Sequence, residues 1–370
     1  MKTGDFSWNA LFTEDGIASV ELKMLLLRKS GEPFLLLPAQ PGLAAKGLFL
    51  YPAQTFLARM TRGILSAVMK TRLPIPLEKT VIRYSPDAPL PHFCATLTST
   101  KSAPRFALLA GNPNAAGRRF ILLVFNERGD PVSIVKAGLG EIAGGLVRRE
   151  EDFLAHLPER CAGAPRVSGS FQAQELHAFA MDFFDGVSPR GPVDESIATL
   201  LGSWLDSSSL VTVNETGLWK TLESTCAGNP LFVKLTSSLA GHRFHPVLFH
   251  GDFAPWNIKV SPGDGSWKIF DWERGELKGI PGWDWFHYLI QQSVLVQRMN
   301  TGPLIAKLKH LLVSELFQDY AKKTGIDGLE REFLLLYLLY STEVLNPSEG
   351  MNSLRALLSA LSDTPFPMNK

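Results

Sequence analysis

The residues HGDFAPWN at His250–Asn257, followed by IFDWE at Ile269–Glu273, decide the fold of this 370-residue chain. The first segment carries a carboxylate at Asp252 and an amide at Asn257 within one loop. The residues between the two segments read as a strand, a turn rich in Gly, Asp and Ser, and a second strand. Because such a hairpin returns Asp271 to the side of Asn257, three oxygen-bearing side chains are expected to converge.

Three groups of this kind suit magnesium-dependent phosphoryl transfer. A hydroxyl that attacks the γ-phosphate of a nucleotide needs a carboxylate to orient or accept its proton, which Asp252 can supply. The triphosphate needs a hard cation, for which Asn257 and Asp271 offer oxygen ligands. Turn chemistry alone explains a loop rich in Asp, Asn and Gly, but it explains neither the flanking apolar strands nor the acidic cluster after the hairpin.

The pattern resembles the catalytic loop and metal-binding segment of the aminoglycoside phosphotransferase and choline kinase family, whose fold resembles that of protein kinases. The family pattern is His-Gly-Asp, four variable residues, Asn, a hairpin and an Asp, and it matches His250, Gly251, Asp252, Asn257 and Asp271. The resemblance implies that Asp252 is the catalytic base, that Asn257 and Asp271 hold Mg²⁺, and that His250 supports the loop.

A downstream segment fits the same family. Gly279–Asp284, with the sequence GIPGWD, resembles the family's Gly-x-Pro-x-x-Asp element, in which the Asp supports the catalytic loop by hydrogen bonding. The resemblance therefore implies a structural role for Asp284. Glu273, close to Asp271, could neutralise a cationic acceptor or support the metal site, and the sequence leaves both alternatives open.

The upstream half is expected to contain a nucleotide-binding lobe. Two apolar runs, Phe106–Leu109 and Phe120–Phe125, predict antiparallel strands around a phosphate-covering loop that holds Gly111 and Gly117. This loop lacks the Gly-x-Gly-x-x-Gly pattern of protein kinases. Backbone amides of such a loop could nevertheless donate to anionic oxygens.

A lysine and a glutamate further along match a kinase-like phosphate site. The predicted strand 132–136 ends in Lys136, where a kinase-like fold places its contact to the α- and β-phosphates. Leu146–Leu157 has helical periodicity and resembles the family's Arg-Glu-Ala helix, which implies that Glu150 orients Lys136, with Glu151 as the fallback. A lone pair of this kind would be interpreted as a solvated surface contact, but its order relative to the catalytic loop favours a functional role.

Two weaker patterns lie near these residues. Ala178–Gly186 resembles the last strand of a kinase N-lobe and the linker that contacts the adenine edge, so adenine is expected near Met181 and Phe183, although an ordinary buried strand would be equally apolar. Gly138–Ala143 matches the dinucleotide-binding Gly-x-Gly-x-x-Ala pattern. That fingerprint also requires an acidic ribose ligand at the end of a second strand, which the sequence does not provide.

Composition excludes several other classes of protein. A formal net charge of +1 argues against a general electrostatic grip on nucleic acid or on an anionic membrane. Three cysteines, far apart and odd in number, make a disulfide framework unexpected and favour a cytoplasmic location. The apolar stretches are broken by charged residues and prolines, so none is expected to span a bilayer.

The expected fold class is α+β, a protein-kinase-like fold with two lobes. Residues 1–98 form an N-terminal extension of unknown role, 99–184 a β-rich N-lobe, and 185–370 a mainly helical C-lobe with the catalytic loop and acceptor pocket. The expected function is ATP- or GTP-dependent, Mg²⁺-dependent phosphoryl transfer to a hydroxyl of an aminoglycoside, amino alcohol or sugar, by a monomer or homodimer. The alternative is a catalytically silent kinase-fold protein that binds nucleotide or acts as a scaffold.

Overall fold

The computed structural model describes residues 9–13, 20–29, 31–51, 56–70, 77–98, 103–111, 118–158, 161–189, 193–347 and 349–363. The chain divides into two compact units. Unit 1 comprises Met1–His156 and Pro165–Phe184, and unit 2 comprises Leu157–Ala164 and Asp185–Lys370. Unit 1 is built on a large β-sheet and unit 2 is mainly helical, which confirms the α+β, protein-kinase-like fold class.

Unit 1 contains one antiparallel sheet of eight strands in the order β3-β1-β2-β4-β5-β6-β8-β7. The strands are β1 (Val20–Lys29), β2 (Glu32–Pro38), β3 (Glu78–Tyr84), β4 (Arg105–Ala110), β5 (Arg118–Phe125), β6 (Pro131–Leu139), β7 (Val167–Ala173) and β8 (Leu176–Asp182). The predicted pairing of the two apolar runs is confirmed, since β4 and β5 are antiparallel with Leu108 opposite Leu122.

Helices cover the sheet of unit 1 and complete its core. They are α1 (Asn9–Phe12), α2 (Pro41–Gly47), α3 (Phe56–Lys70), α4 (Pro89–Thr98) and α5 (Glu141–His156). Alternate residues of β5, namely Phe120, Leu122 and Val124, pack into one apolar cluster with residues of α1 and α4. Because β5 is buried on both faces, it reads in the sequence as a continuous apolar run.

The first 98 residues do not form a unit apart from the N-lobe. Strands β1–β3 belong to the same sheet as β4–β8, joined by the pairs Leu35–Leu109 and Leu36–Leu108 between β2 and β4. Met24 of β1 and Leu36 of β2 lie in the same apolar cluster as Leu108 of β4, so the core continues across the expected division at residue 98. The expected division after residue 184 coincides with the end of unit 1.

Unit 2 is composed of helices with short two-stranded ribbons. Its helices are α6 (Asp194–Ser203), α7 (Gly217–Cys226), α8 (Pro230–Leu239), α9 (Trp283–Gln291), α10 (Thr301–Val313), α11 (Glu315–Thr324), α12 (Glu330–Tyr340) and α13 (Met351–Asp363). Two of them continue as π-helical turns, α9 into Gln292–Val296 and α12 into Ser341–Leu345. Its strands are β9 (Val211–Thr212), β10 (Arg243–Phe244), β11 (Val247–Phe249), β12 (Ile258–Val260), β13 (Trp267–Ile269) and β14 (Glu276–Gly279).

The pairing of these short strands fixes the segment that carries the predicted catalytic and metal-binding residues. The hairpin predicted from the sequence is confirmed as β12 and β13, with Ile258 opposite Ile269. Strand β11, which leads into His250–Asn257, pairs with β14, which leads towards Gly279–Asp284. No helix among the described residues is long and apolar enough to cross a membrane.

The dinucleotide-like glycines of unit 1 have a packing explanation. Gly140 has a φ of +84° at the turn from β6 into α5, a conformation that L side chains rarely adopt. A Cβ built on Gly138 would overlap the carbonyl of Ala143 and lie 2.8 Å from the nitrogen of Gly144. Gly138 therefore allows the start of α5 to approach the backbone of β6 closely.

We predict that Gly138→Ala lowers the free energy of unfolding by about 1–3 kcal/mol, because the added methyl group has no space. Gly145→Ala is the matched control. Gly145 lies in α5, the helix that Gly138 contacts, and nothing lies within 4 Å of its Cβ position. This control should be neutral or stabilising by up to about 1 kcal/mol. Urea denaturation of both variants tests the prediction, which equal effects of the two substitutions would contradict.

Candidate active site

The loop at His250–Asn257 turns sharply where it leaves β11. Gly251 has a φ of +80°, and a Cβ at this position would lie 2.7 Å from the Cβ of Arg274 and 3.0 Å from its carbonyl oxygen. Only glycine meets both constraints without strain. The turn brings Asp252 round so that its side chain faces Asn257 and helix α9.

Asn257 is oriented by two hydrogen bonds to a single residue. Its Nδ2 donates to the carboxylate Oδ2 of Asp252 at 2.8 Å and to the backbone oxygen of Asp252 at 2.9 Å. Both bonds use the amide nitrogen, so the amide oxygen Oδ1 is the atom left for another partner. Asn257 is buried, with 9% of its surface exposed, which keeps this orientation fixed.

Asp271 reaches the same region through the hairpin. The N–H of Phe270 donates to the carbonyl of Asn257 at 2.8 Å, and Asp271 is the next residue. Its φ of +75° is unusual for a residue other than glycine and turns the chain away from β13. The charge of Asp271 acts on the pKa values of both Asp252 and His250, which shows that the three residues are close neighbours.

His250 ties the loop to the end of the hairpin in one defined tautomer. Its Nδ1 accepts from the backbone N–H of Asp252 at 3.1 Å, so Nε2 must carry the hydrogen that is donated to the carbonyl of Phe270 at 3.0 Å. Burial lowers the pKa of His250 to about 4, so the ring is neutral at neutral pH.

Asp284 holds the backbone of the loop from the first turn of α9. Its Oδ2 accepts from the N–H of His250 at 2.8 Å and its Oδ1 from the N–H of Gly251 at 3.1 Å. Burial raises the pKa of Asp284 to about 7, while these two backbone bonds act in the opposite direction. The structure thus brings Asp252, Asn257, Asp271, His250 and Asp284 together within unit 2.

Two residues that the sequence analysis missed complete the surroundings of Asp252. The Nε2 of His287 lies 3.0 Å from Oδ1 of Asp252, and the hydroxyl of Tyr337 lies 2.9 Å from Nδ1 of His287. His287 could have been noticed as a polar residue in the apolar helical stretch Trp283–Ile290, one turn after Asp284. Tyr337, in the Leu-rich helix α12, carries no such signal.

Burial alone would raise the pKa of Asp252, but the hydrogen bond from Nε2 of His287 holds it below its ordinary value. Asp252 is therefore a carboxylate at neutral pH, and a carboxylate can only accept hydrogen bonds. Its side chain is 26% exposed, so the carboxylate is accessible from solvent in spite of these contacts.

In unit 1, the predicted lysine and glutamate form an ion pair. The Nζ of Lys136 lies 2.6 Å and 2.7 Å from the two carboxylate oxygens of Glu150, and the side chains are only 11% and 3% exposed. The fallback Glu151 instead contacts Nε2 of His177 at 2.6 Å. Lys136 lies within β6, which continues to Leu139, and not at the end of the strand.

The structure describes three of the four remaining sequence-predicted residues of unit 1, namely Gly111, Met181 and Phe183. The backbone N–H of Gly111 already donates to the carbonyl of Arg119 at 2.8 Å, because Gly111 continues the pairing of β4 with β5. Gly117 lies outside the described residues. Met181 is completely buried in β8, and the N–H of Phe183 donates to the carbonyl of Val132 at 2.9 Å.

Glu273 lies half-buried on the loop between β13 and β14, two residues after Asp271. Within the part of the chain that the structure describes, no group of three or more His, Cys, Asp or Glu side chains could hold a metal ion. The pair formed by Asn257 and Asp271 is of a different kind, because it uses an amide oxygen and would need further ligands from a bound phosphate or water.

The β-rich unit with its buried Lys–Glu pair and the helical unit with its His-Gly-Asp loop define a kinase-like fold. No family model and no curated protein matches the chain. Three solved structures give the comparison. The chain is similar to a thermostable mutant of an aminoglycoside phosphotransferase in ternary complex with ADP and hygromycin B, at 13% identity and a TM-score of 0.47, covering 74% of this chain and 97% of that one.

The chain is also similar to a candidate aminoglycoside phosphotransferase from Ralstonia eutropha, at 13% identity and a TM-score of 0.48, covering 74% of this chain and 94% of that one. A candidate fructosamine-3-kinase from Haemophilus somnus is similar at 12% identity and a TM-score of 0.45, covering 74% of this chain and 96% of that one.

We predict that Glu150→Gln lowers the free energy of unfolding by about 3 kcal/mol, because it removes the carboxylate charge that contacts the buried ammonium group of Lys136. The exposed pair Lys46–Asp130 provides the control, with side chains 44% and 57% exposed. Asp130→Asn should cost less than about 1 kcal/mol. Urea denaturation measures both, and similar losses would show that the Lys136–Glu150 pair contributes no more than a surface contact.

The pKa of Asp284 predicts a pH dependence of stability. The unfolded chain titrates near an ordinary value of about 4, whereas the folded protein keeps the proton up to about pH 7. The contribution of this group to the free energy of unfolding is therefore full below about pH 4 and is lost as the pH rises to about 7. Because Asp284→Asn lacks this titration, the stability advantage of the wild-type protein over the variant should shrink across this interval. Urea denaturation at each pH measures it, and a constant difference would mean that the carboxyl group is ionised throughout.

Proposed function

We propose that this protein transfers the γ-phosphoryl group of ATP or GTP to a hydroxyl group of a small molecule, with Asp252 as the catalytic base. The observation that carries the proposal is the arrangement of Asp252 and Asn257. The amide nitrogen of Asn257 holds the carboxylate of Asp252, and the same bonds direct the amide oxygen away from that carboxylate. One side chain can thereby orient the base and also bind a cation.

The state of Asp252 supports its role as a base. Its pKa lies below the ordinary value, and its side chain is partly exposed, so an acceptor hydroxyl can reach an ionised carboxylate. A base of this kind receives the hydroxyl proton late in a loose phosphoryl-transfer transition state, so its main contribution is to orient the nucleophile. The two hydrogen bonds that fix the carboxylate oxygens serve this orientation.

The residues beside the base fit Mg²⁺. Asn257 offers an oriented amide oxygen, and Asp271 offers a carboxylate at the end of the same hairpin. Magnesium in phosphoryl-transfer sites is usually held by one or two protein oxygens, with phosphate oxygens and water completing its coordination, and two protein ligands are therefore enough. When bound, the ion supplies positive charge that neutralises the phosphate oxygens.

In unit 1, Lys136 is the proposed contact to the α- and β-phosphates. Glu150 holds its ammonium group with both carboxylate oxygens, which restricts the lysine side chain to one position. For the acceptor we propose an aminoglycoside, an amino alcohol or a sugar. A protein acceptor is less suitable, because the segment between Asp271 and Asp284 is short and is occupied by β14.

The proposal predicts that Asp252→Asn lowers kcat by at least about 100-fold, because an amide can neither accept the proton nor orient the hydroxyl in the same way. Nucleotide binding, measured by calorimetry with Mg²⁺, should be kept. The assay follows nucleotide-dependent phosphoryl transfer to a panel of aminoglycosides, amino alcohols and sugars. Asp264→Asn is the control, since Asp264 lies in the exposed turn between β12 and β13 and accepts hydrogen bonds from Ser266.

The control should turn over as the wild-type protein does. If the wild-type protein binds nucleotide but phosphorylates no acceptor in the panel, and Asp252→Asn keeps the biological activity of the protein, the proposed function is wrong and the silent kinase-fold alternative takes its place. Transfer that persists at the wild-type rate in Asp252→Asn would instead remove Asp252 from the mechanism.

A further inference from the structure

Both carboxylate oxygens of Asp252 are held, and by different parts of unit 2. Oδ2 accepts from Nδ2 of Asn257 in the loop, and Oδ1 accepts from Nε2 of His287 in helix α9. A carboxylate on a loop would otherwise rotate about two side-chain bonds. With one donor on each oxygen, both the position and the plane of the carboxylate are fixed.

His287 is in turn fixed by a third residue. Its Nδ1 lies 2.9 Å from the hydroxyl of Tyr337 in α12. Both residues are buried, with 4% of the surface of His287 and 1% of that of Tyr337 exposed. Because the carboxylate of Asp252 accepts only, Nε2 of His287 must carry a hydrogen. In the neutral ring Nδ1 then accepts from the hydroxyl of Tyr337, which burial keeps protonated by raising its pKa. Tyr337 therefore selects the tautomer that donates to Asp252.

Three other histidines of unit 2 are satisfied in a different way from His287. His242 bonds to the backbone oxygen of Gly325, His245 to that of Ser209, and His250 to that of Phe270. A histidine that only fills space needs no more than such a backbone partner. His287 differs, because it has a side-chain partner at each nitrogen and one of them is the proposed base.

The position of His287 on α9 gives the same conclusion. It lies three residues after Asp284, so the two side chains share one face of the helix. Asp284 holds the backbone N–H groups of His250 and Gly251, while His287 holds the side chain of the residue that follows them. A single helix face thus sets both the backbone and the side chain of the catalytic loop.

We infer that His287 is a positioning residue for Asp252 and that Tyr337 acts through it by fixing its tautomer and ring plane. The inference rests on the proposed function for its consequence, the turnover rate, but the contacts themselves can be tested without turnover. Neither residue touches substrate in this assignment. Their loss should reduce kcat through the orientation of the base, and it should leave substrate binding in place.

The kinetic test compares three variants at His287 and Tyr337 with one control variant. His287→Leu removes the donor and should lower kcat on the order of 100-fold, since small displacements of a catalytic group have effects of this size. His287→Gln, whose Nε2 can still donate to Asp252, should recover most of this loss. Tyr337→Phe removes only the hydroxyl and should lower kcat by about tenfold, which corresponds to one hydrogen bond. KM for nucleotide and for acceptor should change by less than about twofold in all three.

Tyr340→Phe is the matched control for Tyr337→Phe. Tyr340 lies three residues further along α12 and, like Tyr337, packs its ring against Trp283. It should keep the wild-type kcat. If Tyr340→Phe loses as much as Tyr337→Phe, or if His287→Gln is as slow as His287→Leu, the effect comes from packing and the inference is wrong. A loss that appears in KM and not in kcat would overturn it as well.

A nitrogen-15 spectrum of histidine-labelled protein decides the contacts independently of turnover. His287, assigned by its disappearance in His287→Gln, should show a protonated Nε2 with a hydrogen-bonded proton resonance that moves in Asp252→Asn and in Tyr337→Phe. A ring protonated at Nδ1 alone would overturn the inference. If the spectrum agrees and the wild-type protein transfers no phosphoryl group, the proposed function fails while the structural assignment stands. If the protein is active but the spectrum disagrees, the inference alone fails.

Discussion

The carboxyl group of Asp284 is the constraint on which the site in unit 2 depends, because its two oxygens hold the backbone N–H groups of His250 and Gly251. A buried carboxyl group is costly to remove from water, and two backbone donors offset part of that cost. The bonds also fix the chain where Gly251 takes its left-handed conformation. Once this turn is fixed, the direction of Asp252 and the position of Asn257 follow from the covalent geometry of the loop.

The parts of this site that lie close together in the sequence could be predicted from it. The hairpin of β12 and β13 is encoded by local turn chemistry, and it alone brings Asp271 back to Asn257. Lys136 and Glu150 were paired through the resemblance of Leu146–Leu157 to the family's Arg-Glu-Ala helix, and they do form an ion pair between β6 and α5. His287 and Tyr337 could not be placed in this way, since the first lies 35 residues from Asp252 and the second a further 50 residues from His287. Only helix packing brings them together.

The sequence pattern was also a weak guide to which of two adjacent residues makes a contact and to which strands pair. It ranked Glu150 ahead of Glu151 only through the resemblance to the family's helix. The two residues are adjacent on α5 but face different strands, so that Glu150 meets Lys136 on β6 and Glu151 meets His177 on β8. It could show that the apolar runs of the first 98 residues are too short for a bilayer. It could not show that they join the sheet, because the link is made by two residue pairs between β2 and β4, far apart in the chain.

The three added strands change which edge of the sheet faces solvent. Without them β4, with the apolar sequence RFALLA, would present an unpaired row of backbone groups, and such an edge invites pairing with a second chain. With them the outer strand on this side is β3, which carries Glu78, Lys79 and Arg83. Two of these residues form ion pairs with residues of β1, Glu78 with Arg28 and Arg83 with Glu21. Strands β1–β3 therefore place a charged strand at this edge of the sheet, and charged side chains on an edge strand disfavour edge-to-edge pairing of sheets.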